Sequence, residues 1–147
     1  MIVGLGTDLV SHARISALLK RYGARFVQRI LADSERQLLE SFSSVQETTN
    51  KRSCEDNGRT VEFVAARWAA KEAVWKALGR RTPAQSVAVL RDAVSGAPVV
   101  HVSGFTLQRA VHRAGSEHKF WISISHESGP QALSMAVCVL EAGTHRS

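Results

Sequence analysis

The chain has 147 residues, about the size of one domain, and its 44% hydrophobic and 22% charged residues describe a globular protein with a core. It has no run of about 18 apolar residues, so no membrane-spanning helix is expected. Its start, MIVGLGTDLV, has no basic leader and does not read as a signal peptide, which makes the cytoplasm the expected location. Nineteen Lys and Arg against thirteen Asp and Glu give a formal charge of +6 and a pI near 10.0, a balance that suits nucleic acid, phosphorylated cofactors or an acidic protein partner.

Residues 1–10 form an apolar run broken by Gly4, Gly6, Thr7 and Asp8, and read as a buried strand. In HARISALLKRYG, Ile15, Leu18, Leu19 and Tyr22 share one helical face and Gly23 is the stop. ARFVQRIL reads as a second short helix or a continuation of the first. Asp33 or Ser34 is the expected cap of a third, SERQLLESF. Residues 43–60 hold almost no apolar side chains and read as an exposed loop. VEFVAARWAAKEAVWKALG is the strongest helix signal, dense in alanine and closed by Gly79. SVAVLRD, a turn at Ser95-Gly96-Ala97-Pro98, and VVHVS follow as strand, turn and strand. FTLQRAVHRAG is an amphipathic helix, and FWISISH and ALSMAVCVL are two strands joined through ESGPQ. Helices and strands mix without strict βαβ alternation, so the class is α+β, and no boundary divides residues 1–147 into more than one domain. Cys54 in a polar stretch reads as a spare thiol, and Cys138 in AVCVL as a small core residue.

Asp8 is the first residue that suggests chemistry. A carboxylate in a buried strand must be paired, hydrogen-bonded or metal-bound, and Gly4 and Gly6 let another element or a ligand approach the backbone. An aspartate capping the helix that starts near His12 is the plain alternative. In the alanine-rich helix, Phe63, Ala66, Ala70, Ala73, Val74 and Ala77 share a face, which implies close packing. Trp68, Glu72 and Lys76 form an i, i+4, i+8 row flanked by Arg67 and Lys71. A solvated Glu72–Lys76 pair fits poorly with so much alanine and tryptophan. A carboxylate beside three cations suggests metal plus phosphate, with Glu72 and Asp8 sharing the metal. His126 ends an alternating strand, on the core side near a turn, and reads as a hydrogen-bonded structural residue or a ligand contact. There is no HxxxH or CxxC spacing, no GxSxG and no GxxxxGK[ST], which argues against a zinc site, an α/β-hydrolase and a P-loop NTPase.

Three segments in this order, GLGTDLV at 4–10, FVAARWAAKEAVWKALG at 63–79 and ISISHE at 122–127, resemble the holo-[acyl-carrier-protein] synthases, the small 4′-phosphopantetheinyl transferases. The resemblance implies a mostly antiparallel sheet packed on a long central helix. It implies transfer of 4′-phosphopantetheine from coenzyme A to a serine of an apo acyl carrier protein or carrier domain in fatty acid biosynthesis. It also implies Mg²⁺ and a homotrimer with sites at the subunit boundaries. By position, Asp8 and Glu72 would hold the metal and Lys76 the coenzyme A diphosphate. Arg67, Lys71, the turn carrying Gly96 and Pro98, and His126 would hold the cofactor, and Arg14, Arg21 and Arg25 the carrier protein. A basic nucleic-acid-binding module also accounts for the charge, but it lacks an aromatic cluster and leaves Asp8 and Glu72 without a role.

Overall fold

The computed structural model describes residues 1–44 and 55–143. Its elements are β1 (Ile2–Ser11), α1 (His12–Tyr22), α2 (Ala24–Ile30), α3 (Asp33–Ser44), α4 (Glu55–Leu78), a 3-10 turn (Ala84–Ser86), β2 (Val87–Arg91), β3 (Pro98–Val102), α5 (Gly104–Ala114), β4 (Lys119–Glu127) and β5 (Leu133–Glu141). Three strands form an antiparallel sheet in the order β1-β5-β4, and β2 and β3 form a separate hairpin. The α+β class and the central helix agree with the sequence reading.

The α4 helix crosses the inner face of the three-stranded sheet, and small residues on both sides bring the backbones together. A Cβ added at Gly4 would drive into the Ala77 carbonyl. One at Gly6 would meet the Ala73 carbonyl and lie 2.7 Å from the Ala77 nitrogen. Glycine is required at both positions, and the approaching element is the helix, not a ligand. On the facing strand β5, Ala136, Cys138 and Leu140 are buried, as are Ala69, Ala70, Ala73 and Ala77 of α4.

Three expectations need correction. First, β1 is not buried on both faces. Gly6 and Val10 point inward, while Ile2, Leu5 and Leu9 are exposed on the outer face beside Met135 and Trp121. The alternation of small and large residues in GLGTDLV separates those two faces. Second, the 43–60 loop is shorter: α3 runs to Ser44 and α4 begins at Glu55. Cys54 and the remainder of that segment lie outside the described residues. Third, Asp33 and Ser34 are not the cap, since both already lie inside α3. Asp33 pairs with Arg36, and Glu35 accepts the Ala32 N–H at 2.8 Å.

Glu35 is completely buried (0% exposed) and Lys71 almost so (1%), and they pair at 2.7 Å. Lys71 also donates to the carbonyls of Ala84 (2.8 Å) and Val87, and Glu35 accepts the Val89 N–H at 2.8 Å. This buried network fastens the start of α3, the middle of α4 and the base of the hairpin to one another. Burial pushes the Lys71 ammonium down from the usual lysine range, Glu35 opposes the shift, and Arg67 adds to it.

Candidate active site

At the junction of β1 and α4, Lys76 Nζ donates to Asp8 Oδ1 at 2.8 Å and to the Thr7 carbonyl at 2.7 Å. Ser11 precedes α1 without a side-chain cap, and Asp8 is taken up by the lysine, so the cap reading is set aside. One turn earlier on α4, Glu72 Oε1 lies 3.3 Å from Arg81 Nη2, in the segment just past the helix. Glu72 and Lys76 therefore do not pair with each other. Each has a partner outside α4. The Asp8 side chain is 19% exposed and that of Glu72 is 21%, so both carboxylates open onto solvent at the edge of the core.

Arg81 was not expected. Its guanidinium lies 4.8 Å from the ring centroid of Trp75 and 5.9 Å from that of Trp68, which stacks on Phe26 at 6.0 Å. Its position two residues after Gly79 was the only signal in the sequence. That places it past the helix end and within reach of the side chains of the preceding turns.

The structure separates the remaining site residues. Lys71 is not available to a phosphate, because its donors are spent on Glu35 and two carbonyls inside the core. It precedes Glu72 by a single residue, and one residue turns a helix by about 100°. Arg67 lies about 140° around α4 from Glu72 by the same geometry. Its guanidinium lies 3.7 Å from the Phe63 ring centroid, and Nε is buried without a partner among the described residues. Burial lowers its pKa from the usual arginine value, with Glu35 opposing and Arg91 adding to the shift.

The hairpin turn is tied by Asp92 Oδ1, which accepts from the nitrogens of Val94 (3.2 Å) and Ser95 (2.8 Å) and from Ser95 Oγ (2.8 Å). Gly96 has φ +70°, and Pro98 opens β3 opposite Arg91. The bonds to Ser95 and Val94 hold the Asp92 carboxyl below its usual range. His126 is exposed rather than turned into the core, with Nε2 3.1 Å from Glu62 Oε1. Glu62 precedes Glu72 by ten residues, about 15 Å of helix. Nearby, His12 Nε2 shares a 2.8 Å hydrogen bond with Ser134 Oγ. Arg14, Arg21 and Arg25 are all exposed, and Arg21 lies 5.1 Å from the Tyr22 ring centroid.

The chain matches the 4′-phosphopantetheinyl transferase superfamily over residues 4–138. It belongs to that family. Among curated relatives, the holo-[acyl-carrier-protein] synthase of Halorhodospira halophila is 38% identical over 132 residues, 86% of this chain and 91% of the relative. The synthase of Hydrogenovibrio crunogenus is 39% identical over 133 residues, 87% and 90% of the two chains. Among solved structures, a holo-(acyl-carrier-protein) synthase from Bacillus anthracis in complex with CoA (3′,5′-ADP) superposes with a TM-score of 0.69 at 31% identity, covering 97% of this chain and 99% of that one. The Neisseria meningitidis synthase gives 0.72 at 30% identity, covering 96% and 99%. The transferase fold and the order of its elements are therefore those of this family.

Proposed function

We infer that this chain is a holo-[acyl-carrier-protein] synthase: it moves 4′-phosphopantetheine from coenzyme A to a serine of an apo acyl carrier protein or carrier domain. The observation that carries the reading is the junction of β1 and α4, where Glu72 and Lys76 on adjoining turns of α4 pair with Arg81 past the helix end and Asp8 on β1, bringing two carboxylates and two cations to that edge. In the reaction the serine oxygen bonds to the phosphorus of the phosphopantetheine arm and its proton passes to water. The bond to the bridging diphosphate oxygen breaks, and adenosine 3′,5′-bisphosphate leaves with the electron pair. Negative charge builds on the leaving phosphate, and Lys76, half-exposed at the edge of the core, stabilises it.

Asp8 and Glu72 suit Mg²⁺. Both are hard oxygen donors open to solvent, and Mg²⁺ keeps waters and substrate oxygens in its other positions, so two protein ligands suffice. Among the described residues no group of three or more His, Cys, Asp or Glu is gathered for a metal. When bound, the ion supplies positive charge against the diphosphate.

Arg67, the Gly96–Pro98 turn and His126 form the nucleotide end of the site, and a second copy of the chain supplies them, because α4 turns Arg67 away from Glu72 within one chain. The exposed apolar face of the sheet, with Leu5, Leu9, Trp121 and Met135, is the surface on which copies meet as a homotrimer. The exposed Arg14, Arg21 and Arg25 on α1 and α2 steer the acidic carrier protein. Among the described residues no helix is long and apolar enough to cross a membrane, and the enzyme acts in the cytoplasm.

Mass spectrometry of apo carrier protein with coenzyme A and Mg²⁺ tests the function. A gain of one phosphopantetheine that chelator abolishes is expected. It is also expected to vanish in folded Asp8→Ala and Glu72→Ala proteins, and near-normal turnover in either would overturn the site. Reversing charge at Arg14 and Arg21 is expected to raise the KM for carrier protein far more than that for coenzyme A.

A further inference from the structure

We propose that Arg81 is a displaceable counter-ion: it neutralises Glu72 before the divalent cation arrives and then serves the anionic substrate. The proposal rests on the reading of Glu72 as a metal ligand. Three observations carry it.

The first is the pairing itself. Both carboxylates of the junction are already matched by a cation of the same chain, Lys76 on Asp8 and Arg81 on Glu72. A dication joining Glu72 would meet the guanidinium 3.3 Å from Oε1, and two cations on one carboxylate repel. The second is how loosely the head group is held. The Arg81 side chain is 66% exposed, its ion pair is a single long contact, and its other neighbours are the indole rings of Trp75 and Trp68. Pairs of this kind contribute little, so the guanidinium is easily exchanged.

The third is that the base of the arm is fixed while its head is free. Gly79, at φ +69°, turns the chain out of α4. Thr82 is buried and accepts from Thr106 Oγ1 at 2.7 Å. Ser86 Oγ, beside Thr106 Oγ1, donates to the Pro83 carbonyl at 2.6 Å. The backbone at 81 is thereby pinned against α5, and the long side chain sweeps from a fixed point. A guanidinium released there stays within a side chain's reach of Glu72. Its forked donors match the oxygens of a phosphate or diphosphate better than an ammonium does.

The arrangement has a directional consequence. Without metal, the Glu72–Arg81 pair is neutral and offers substrate phosphate little attraction. With metal on Glu72, the same spot gains both the ion's charge and that of the freed arginine. Metal binding thus increases the pull on the anionic substrate by more than the ion alone would.

The test is a titration with Mg²⁺ alone, without coenzyme A, read by calorimetry and by tryptophan emission, on the wild type and on Arg81→Ala, Arg81→Lys and Glu72→Gln. Arg81→Ala is expected to bind Mg²⁺ about two- to fivefold more tightly, the range set by the loss of one exposed pair. Arg81→Lys is expected to fall between it and the wild type. Wild-type emission shifts with Mg²⁺ as the guanidinium leaves the two indoles, and Arg81→Ala emission does not respond. The KM of Arg81→Ala for coenzyme A is expected to rise although its metal binding improves. Unchanged or weaker Mg²⁺ binding in Arg81→Ala, with Glu72→Gln binding lost, would overturn the counter-ion role and leave the metal site standing. Undiminished binding in Glu72→Gln would overturn both.

Discussion

Replacing Lys71 by methionine tests how the core holds α4 in place. The substitution keeps the length of the side chain and removes its charge. Glu35 would be left completely buried, with only the Ala32 and Val89 N–H groups to answer it, and the Ala84 and Val87 carbonyls would lose their donor. Breaking a buried pair by removing one partner costs about 3–5 kcal/mol, against a total stability of about 5–15 kcal/mol for a typical domain. For a chain of this size that corresponds to a fall in Tm of about 6–20 °C. The double variant Lys71→Met/Glu35→Leu buries no unpaired charge, and is expected to recover most of that loss. The assay is urea and thermal denaturation followed by far-UV circular dichroism at one protein concentration. A loss below about 1 kcal/mol for the single variant, the size of an exposed pair, would refute the reasoning. So would a double variant no more stable than the single.

Gly6→Ala places a methyl group against the Ala73 carbonyl, and is expected to cost about 1–3 kcal/mol or more together with most of the transferase activity; a urea midpoint equal to that of the wild type would contradict it. His12 has its pKa lowered, chiefly by burial and further by His126, with Glu62 opposing, while Ser134 shares its Nε2. The unfolded chain then binds the proton first, so stability is full above the unfolded value of about 6.5 and falls as pH drops through the lower folded value. His12→Gln is expected to flatten that slope in urea midpoints taken between about pH 5 and 8. Cys138 is buried and its thiol is pushed up to about 12, so peptide mapping after iodoacetamide at about pH 8 is expected to find it unmodified in the folded protein and alkylated in urea.

Much of the fold was legible because its signals are local. The alanine face of α4, the hairpin turn at Ser95–Pro98 and the alternation in FWISISH each appear within a few residues of sequence. The carboxylates at 8 and 72 also draw notice in the sequence, since a charged residue among glycines, or among alanines, stands out against its neighbours, and the structure sets both at the solvent-open edge of the core. What failed depended on geometry across elements. Lys71 and Glu72 are adjacent in sequence yet face different partners, because the helix turns one into the core and the other to its edge. Glu35 looked like an ordinary first-turn residue of α3, and nothing local revealed that it would be buried against Lys71. The first turns of α4 carry Asn57, Gly58 and Arg59 and no apolar stripe, so propensity gave a loop where the chain is helical. The outer face of β1 was misread because its glycines passed as gaps in an apolar run instead of marking the inner side.

The contact that Gly4 and Gly6 make with Ala73 and Ala77 also shapes how this protein can vary. Those four positions set the gap between β1 and α4, and Asp8, Glu72 and Lys76 are carried on the same two backbones. A larger residue at any of the four is tolerated only if the helix shifts, and a shift carries Glu72 and Lys76 with it. Mutations at the packing positions and at the proposed catalytic positions are therefore epistatic here. A library selected only for turnover will enrich small residues at 4, 6, 73 and 77, although none of them bears a functional group.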